Sequence, residues 1–174
     1  MRNTKGLALS FSRYKRLFNE VMIGISLENT QASRAAWVRI LSLSAWEDLG
    51  AAAREIAEEP HYILRAPETG LVMLRGRMGA TGAPFNFGEA TVTRCAVRLY
   101  GGFEGHAYVM GRNSKHAQLA ALCDALLQDP ARTATVARNV IAPLEAKLIK
   151  VHMTQSAKAA ATKVDFFTMV RGDD

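Results

Sequence analysis

Apolar residues recur first at helical spacing and then, further along the chain, at every second position. Trp37, Ile40 and Leu41 stand three and four residues apart, the stripe of an amphipathic helix. Ser44-Ala45-Trp46-Glu47 has the form of a capping box, and Trp46, Leu49, Ala53 and Ile56 continue on one helical face until Glu58, Glu59 and Pro60 end it. From His61 the period becomes two. It predicts strands at 61–66, 71–78, 89–100 and 103–111, with Pro67 to Gly70 as the first turn and Gly101-Gly102 as a two-residue hairpin. Asn113 or Ser114 then caps a helix carrying Leu119, Leu122, Ala125 and Leu126. Asp129-Pro130 starts another, and Pro143 opens a last long helix to about Lys163. Strands in sequence with short links predict an α+β fold: an antiparallel four-stranded meander flanked by N-terminal and C-terminal helices.

The 174 residues suit one domain with an appended segment; 49% are hydrophobic and 22% charged, the balance of an ordinary globular chain. The formal net charge of +6 is unevenly spread. Residues 1–33 hold Arg2, Lys5, Arg13, Lys15 and Arg16 against Glu20 and Glu28, a net +3. The other 141 residues hold 17 basic and 14 acidic side chains, also +3. The expected organisation is therefore a flexible basic extension over 1–33 and a mildly basic domain over 34–174. The apolar run Leu7–Phe11 is too short for a signal peptide and meets Arg13-Tyr14-Lys15-Arg16. No apolar run reaches the length of a membrane span, and two cysteines exclude a disulfide scaffold. A cytoplasmic setting is expected, without a membrane or nucleic-acid partner. A nucleic-acid module would show binding that falls steeply with salt and follows residues 1–33.

Candidate chemistry is sparse. Arg94 and Arg98 share one face of the third predicted strand, and Arg75 and Arg77 share a face of the second. If register aligned them, four guanidinium groups would crowd one sheet surface, suited to a polyphosphate or an acidic partner. The competing reading is a solvated outer face. Glu89 and Arg112 border these strands. The loop Gly76-Arg77-Met78-Gly79-Ala80-Thr81-Gly82 lacks the ending of a P-loop and is expected to be a structural turn. His106 and His116 could meet in space, but no spacing completes a metal site, so none is expected and each reads as a polar surface or interface residue. Cys123, beside Leu119 and Leu122, reads as core. The end of the chain, Asp165-Phe166-Phe167-Thr168-Met169-Val170-Arg171, is apolar where termini are normally polar. It packs back on the domain or inserts into another subunit. No self-sufficient catalytic set emerges, and the catalytic residues stay unassigned.

Three blocks together resemble the PhnG family of the carbon–phosphorus lyase system. They are RAPETGLV with RGRMGATG at 65–82; GEATVTRCAVRL at 88–99 with YVMGRNSKHA at 108–117; and VDFFTMVRGD at 164–173. They run in collinear order over about 34–174. Ala80 stands where a second glycine is expected and Cys95 where alanine is usual, departures that bear on the loop and on packing. The resemblance implies a subunit of an assembly that makes α-D-ribose 1-methylphosphonate 5-triphosphate from ATP and methylphosphonate, releasing adenine. It implies partner subunits, above all a PhnI-like nucleosidase, with ATP a substrate of the complex and no cofactor bound by this chain alone. The isolated chain would then be inactive, and prone to self-association through surfaces meant for partners. Within that frame Arg75, Arg77, Glu89, Arg94, Arg98, His106, Arg112 and His116 are candidates for an anion-facing or partner-facing surface, and Asp165, Phe166, Phe167, Met169 and Arg171 for assembly. The alternative is a non-catalytic scaffold that stabilises its partners.

Overall fold

The computed structural model describes residues 30–79 and 81–162, without the side chains of 30–32. Its elements are α1 (Thr30–Leu43), α2 (Trp46–Ala52), β1 (His61–Arg77), β2 (Pro84–Leu99), β3 (Glu104–Met110), α3 (Ser114–Gln128), α4 (Pro130–Val136), a π-helical turn (Ala137–Ile141) and α5 (Ala142–Ala161). The class is mixed helix and antiparallel sheet, but the sheet has three strands in the order β1-β2-β3 rather than four.

The difference lies at Pro67. A proline followed by Glu68-Thr69-Gly70 reads as a turn, yet one long strand runs through it. Pairing with β2 skips Ala66 and Pro67 and resumes at Glu68↔Arg94 and Gly70↔Val92, after a first irregularity at Leu64. β1 is an edge strand, where bulges and a residue without an amide proton are tolerated. The β2–β3 connection is longer than the expected two-residue hairpin: Tyr100 to Phe103 link the strands, and Gly102 takes a φ of +91°, open to glycine.

The predicted capping box does not form. Ala45 is the N-cap of α2, while the Ser44 hydroxyl donates to the Ile40 carbonyl at 2.7 Å and so finishes α1 instead. α2 also stops at Ala52, short of the expected end. Glu55, Glu58 and Glu59 would sit at a helix C-terminus against its dipole, and the chain continues in tighter turns from Ala53 to Ile56 and Ile56 to Glu59. The later starts form as read. Asn113 accepts the His116 amide at 3.0 Å, and Asp129 accepts the Ala131 amide at 2.9 Å ahead of Pro130. Pro143 lies in the first turn of α5; having no proton to donate to Asn139, it follows a turn of π-helix.

α3 is the centre of the molecule. Its residues from Leu119 to Leu127 are all buried, with His116 and Ala117, the signature of a helix packed on every side. One side lies on β2 and β3, against Cys95, Val97, Leu99, Ala107 and Val109; α1, α2 and α4 close the others. Cys123 is core as expected. Its thiol is pushed up to about 12 by burial and then by the neighbouring Asp124 carboxylate, and burial raises the Cys95 thiol as well. Both are therefore protonated and unsuited to nucleophilic work at neutral pH.

Candidate interaction surface

The face of the sheet turned away from α3 carries the charged groups. Cross-strand partners share a face, so the register sets Tyr62, Arg98 and Glu104 in one row and Glu68, Arg94 and Tyr108 in another, with His106 opposite Ala96 between them. Arg94 pairs with Glu68, which also accepts from Arg65 at 2.9 Å. The Tyr108 hydroxyl is 3.4 Å from Arg94, and the hydrogen bonds to Tyr108 and Glu68 hold its guanidinium further toward the charged form. Arg98 pairs with Glu104 at 2.5 Å. The Tyr62 and Tyr100 rings meet edge-on at 4.6 Å. The charged side chains of these pairs are between 42% and 51% exposed, where individual ion pairs contribute little stability and chiefly set charge balance.

The other predicted candidates lie elsewhere. On β1 the alternation from Glu68 to Arg77 is unbroken, so Arg75 and Arg77 point to the face opposite Glu68 and Arg94. They pair with Asn86 and Pro84; Asn86 is eight residues from Arg94, roughly 26 Å along an extended strand. The four arginines thus form two separate sites instead of one platform. The register produces this separation: with Glu68 opposite Arg94, residues at odd positions of β1 lie on the other face, and the irregularity beside Leu74 leaves its extra residue, Phe87, on β2. Arg77 donates to the Gly82 carbonyl at 3.0 Å and closes the hairpin turn, where Gly79 has a φ of +58°. Glu89 is exposed opposite Met73, and Arg112 is exposed just after β3.

His106 and His116 do not meet. His106 is exposed on the open face, whereas His116 is buried with its Nε2 2.9 Å from the Leu41 carbonyl oxygen and its ring beside Trp46. The surface or interface reading of His116 gives way to a structural one: it joins the start of α3 to the end of α1. Among the described residues no group of three His, Cys, Asp or Glu side chains is placed to hold a metal ion, and no helix is long and apolar enough to cross a membrane. The predicted assembly residues Asp165, Phe166, Phe167, Met169 and Arg171 lie outside the described residues.

One cluster was missed by sequence reasoning. Asp124, fully buried in α3, accepts from Arg34 Nε at 3.2 Å and Nη2 at 2.7 Å, from Trp37 Nε1 at 2.8 Å and from the His106 amide at 2.9 Å. It ties α1, α3 and β3 together. The available signal was an acid inside the apolar run 119–127, a residue type almost never buried without a partner.

Charged and apolar groups thus stand on an open sheet face and an extended hairpin of a two-layer α+β domain. Residues 32–172 match the family described as phosphonate metabolism protein PhnG. The chain is also 44% identical, over 147 residues, to the alpha-D-ribose 1-methylphosphonate 5-triphosphate synthase subunit PhnG of Rhizobium meliloti (strain 1021), covering 82% of this chain and 92% of that one. The chain belongs to the PhnG family.

Proposed function

We propose that this chain is a subunit of a cytoplasmic assembly that makes α-D-ribose 1-methylphosphonate 5-triphosphate from ATP and methylphosphonate, with release of adenine, in phosphonate catabolism. The observation that carries this reading is the 44% identity, across nearly the whole relative, to a synthase subunit. In this reading a phosphonate oxygen displaces adenine at the anomeric carbon and the triphosphate stays intact. A PhnI-like nucleosidase subunit cleaves the N-glycosidic bond, and the present chain directs the acceptor from water to phosphonate. ATP is a substrate of the assembly, and this chain binds no cofactor of its own.

The charge arithmetic of the open face supports a partner-facing role over a polyphosphate platform. Arg65, Arg94 and Arg98 are offset there by Glu68 and Glu104, which leaves one positive charge in excess. That balance also gives the scaffold reading its support, since paired arginines have little left for a triphosphate.

Full-length chain co-expressed with the other synthase subunits is expected to co-purify with the nucleosidase subunit in fixed ratio. In this reading Phe166, Phe167 and Met169 anchor it, so a chain lacking 164–174 is expected to lose the partner roughly tenfold or more while keeping its own melting temperature. Full-length chain that elutes apart from every subunit would overturn the subunit reading. A shortened chain that co-purifies undiminished would remove the tail from it.

A further inference from the structure

β1 and β2 outrun the rest of the sheet. β3 pairs with β2 only between Val92 and Arg98, so residues 84–91 of β2 and 71–77 of β1 extend past it as a two-stranded ribbon. A lone ribbon is marginal in water, and this one is apolar on both faces. Leu71 and Met73 stand on the face that also bears Arg75 and Arg77, and are 65% and 56% exposed. On the other face the Phe87 ring lies over Gly76, so close that a β-carbon there would meet it at 3.1 Å. Phe85 packs edge-on to Phe87 at 6.3 Å, and both rings remain about half exposed. Met78, at the tip, is 75% exposed. The charges on the ribbon are Arg75, Arg77 and, opposite Met73, Glu89, a net positive charge.

We infer that this ribbon is an arm that inserts into a cleft of a partner subunit of the synthase, a cleft apolar on both walls and bearing carboxylates opposite Arg75 and Arg77. The inference deepens the proposed function and rests on it. Enclosure from two sides follows from the two apolar faces, because docking one face on a flat surface would leave the other in water. Charge selects the partner. Two arms of this chain packed together would gather four guanidinium groups against only two carboxylates, those of Glu89, so a second copy is disfavoured and a carboxylate-bearing cleft is complementary. Met73, Arg75, Pro84, Phe85 and Asn86 line an open hollow on the arm, suited to an acidic side chain of that cleft. Arg75 and Arg77 thereby acquire a role separate from that of Arg94 and Arg98.

The test compares full-length chain with a Phe85→Ser, Phe87→Ser variant and an Arg75→Glu, Arg77→Glu variant, each co-expressed with the other synthase subunits. Both variants are expected to retain the melting temperature of the isolated chain within a few degrees and to lose co-purifying partner roughly tenfold or more. The charge variant decides the matter if the serine variant unfolds. Parent chain and both variants co-purifying equally would overturn the arm and leave the subunit reading standing. Failure of the parent chain itself to co-purify would overturn the subunit reading, and the arm with it. An isolated chain that is a dimer, and becomes a monomer on Phe85→Ser, Phe87→Ser, would assign the arm to a second copy and overturn the inference. Co-sedimentation of the parent chain, but of neither variant, with phosphatidylglycerol vesicles would do the same in favour of a lipid surface.

Discussion

Gly105→Ala is expected to destabilise the domain by about 3 kcal/mol or more, beyond the usual range for overpacking by one methyl group. Gly105 is the point on β3 where the sheet meets α3. A β-carbon there would lie 1.9 Å from the Ala121 carbonyl oxygen and 2.5 Å from the Ala125 amide nitrogen. These are backbone atoms of a helix buried on every side, so neither can move without displacing the core around Leu122 and Leu126. A chain of this size loses roughly 2–4 °C of melting temperature per kcal/mol, which puts the expected fall near 6–12 °C. Gly70→Ala supplies the control: nothing lies within 4 Å of its added β-carbon, and its cost should stay within about 0.5–1 kcal/mol. Thermal unfolding of both variants measures the difference directly. Equal melting temperatures would show that β3 and α3 do not approach as described.

Asp124→Asn is expected to cost about 2–4 kcal/mol although it preserves shape, because a buried pair broken on one side leaves polar groups unsatisfied. The four N–H donors are split two and two: Oδ1 accepts from Arg34 Nε and Trp37 Nε1, and Oδ2 from Arg34 Nη2 and the His106 amide. An asparagine has one acceptor oxygen, so in either orientation its own amide confronts two donors. Arg34 also loses its anion while its guanidinium remains held in part by the Glu104 carbonyl at 3.3 Å. Denaturant unfolding of the variant gives the loss. A midpoint like that of the parent would mean that the cluster holds α1 to the rest of the domain only weakly.

These two sites show where local pattern stops being informative. The period-two alternation of 89–99 sets Thr93, Cys95, Val97 and Leu99 on one face, and all four are buried, because burial of one face of a sheet is written locally. Asn113 and Asp129 were legible for a similar reason: a cap is satisfied within three residues. Pro67 was misread because its effect depends on β1 being an edge, a property of the assembled sheet. The arginine faces could not be aligned in advance because the pairing of Glu68 with Arg94 decides which face of β1 meets Arg94, and nothing local to Arg75 or Arg94 announces that register. His116 looked like a surface residue because its partner is a backbone carbonyl 75 positions away. Asp124 and Arg34 are 90 positions apart, so their pairing required the fold. Family membership was readable without geometry, in the blocks at 65–82, 88–117 and 164–173.

Whether the chain directs the acceptor, as proposed, is decided by a single assay. Adenine release, methylphosphonate ester and free ribose 5-triphosphate are measured together from ATP and methylphosphonate, using the remaining synthase subunits with and without this chain. Omission of the chain is expected to leave adenine release in place, end ester formation and divert the sugar to free ribose 5-triphosphate. An unchanged ratio of ester to adenine per intact complex without the chain would contradict it and make the chain a scaffold.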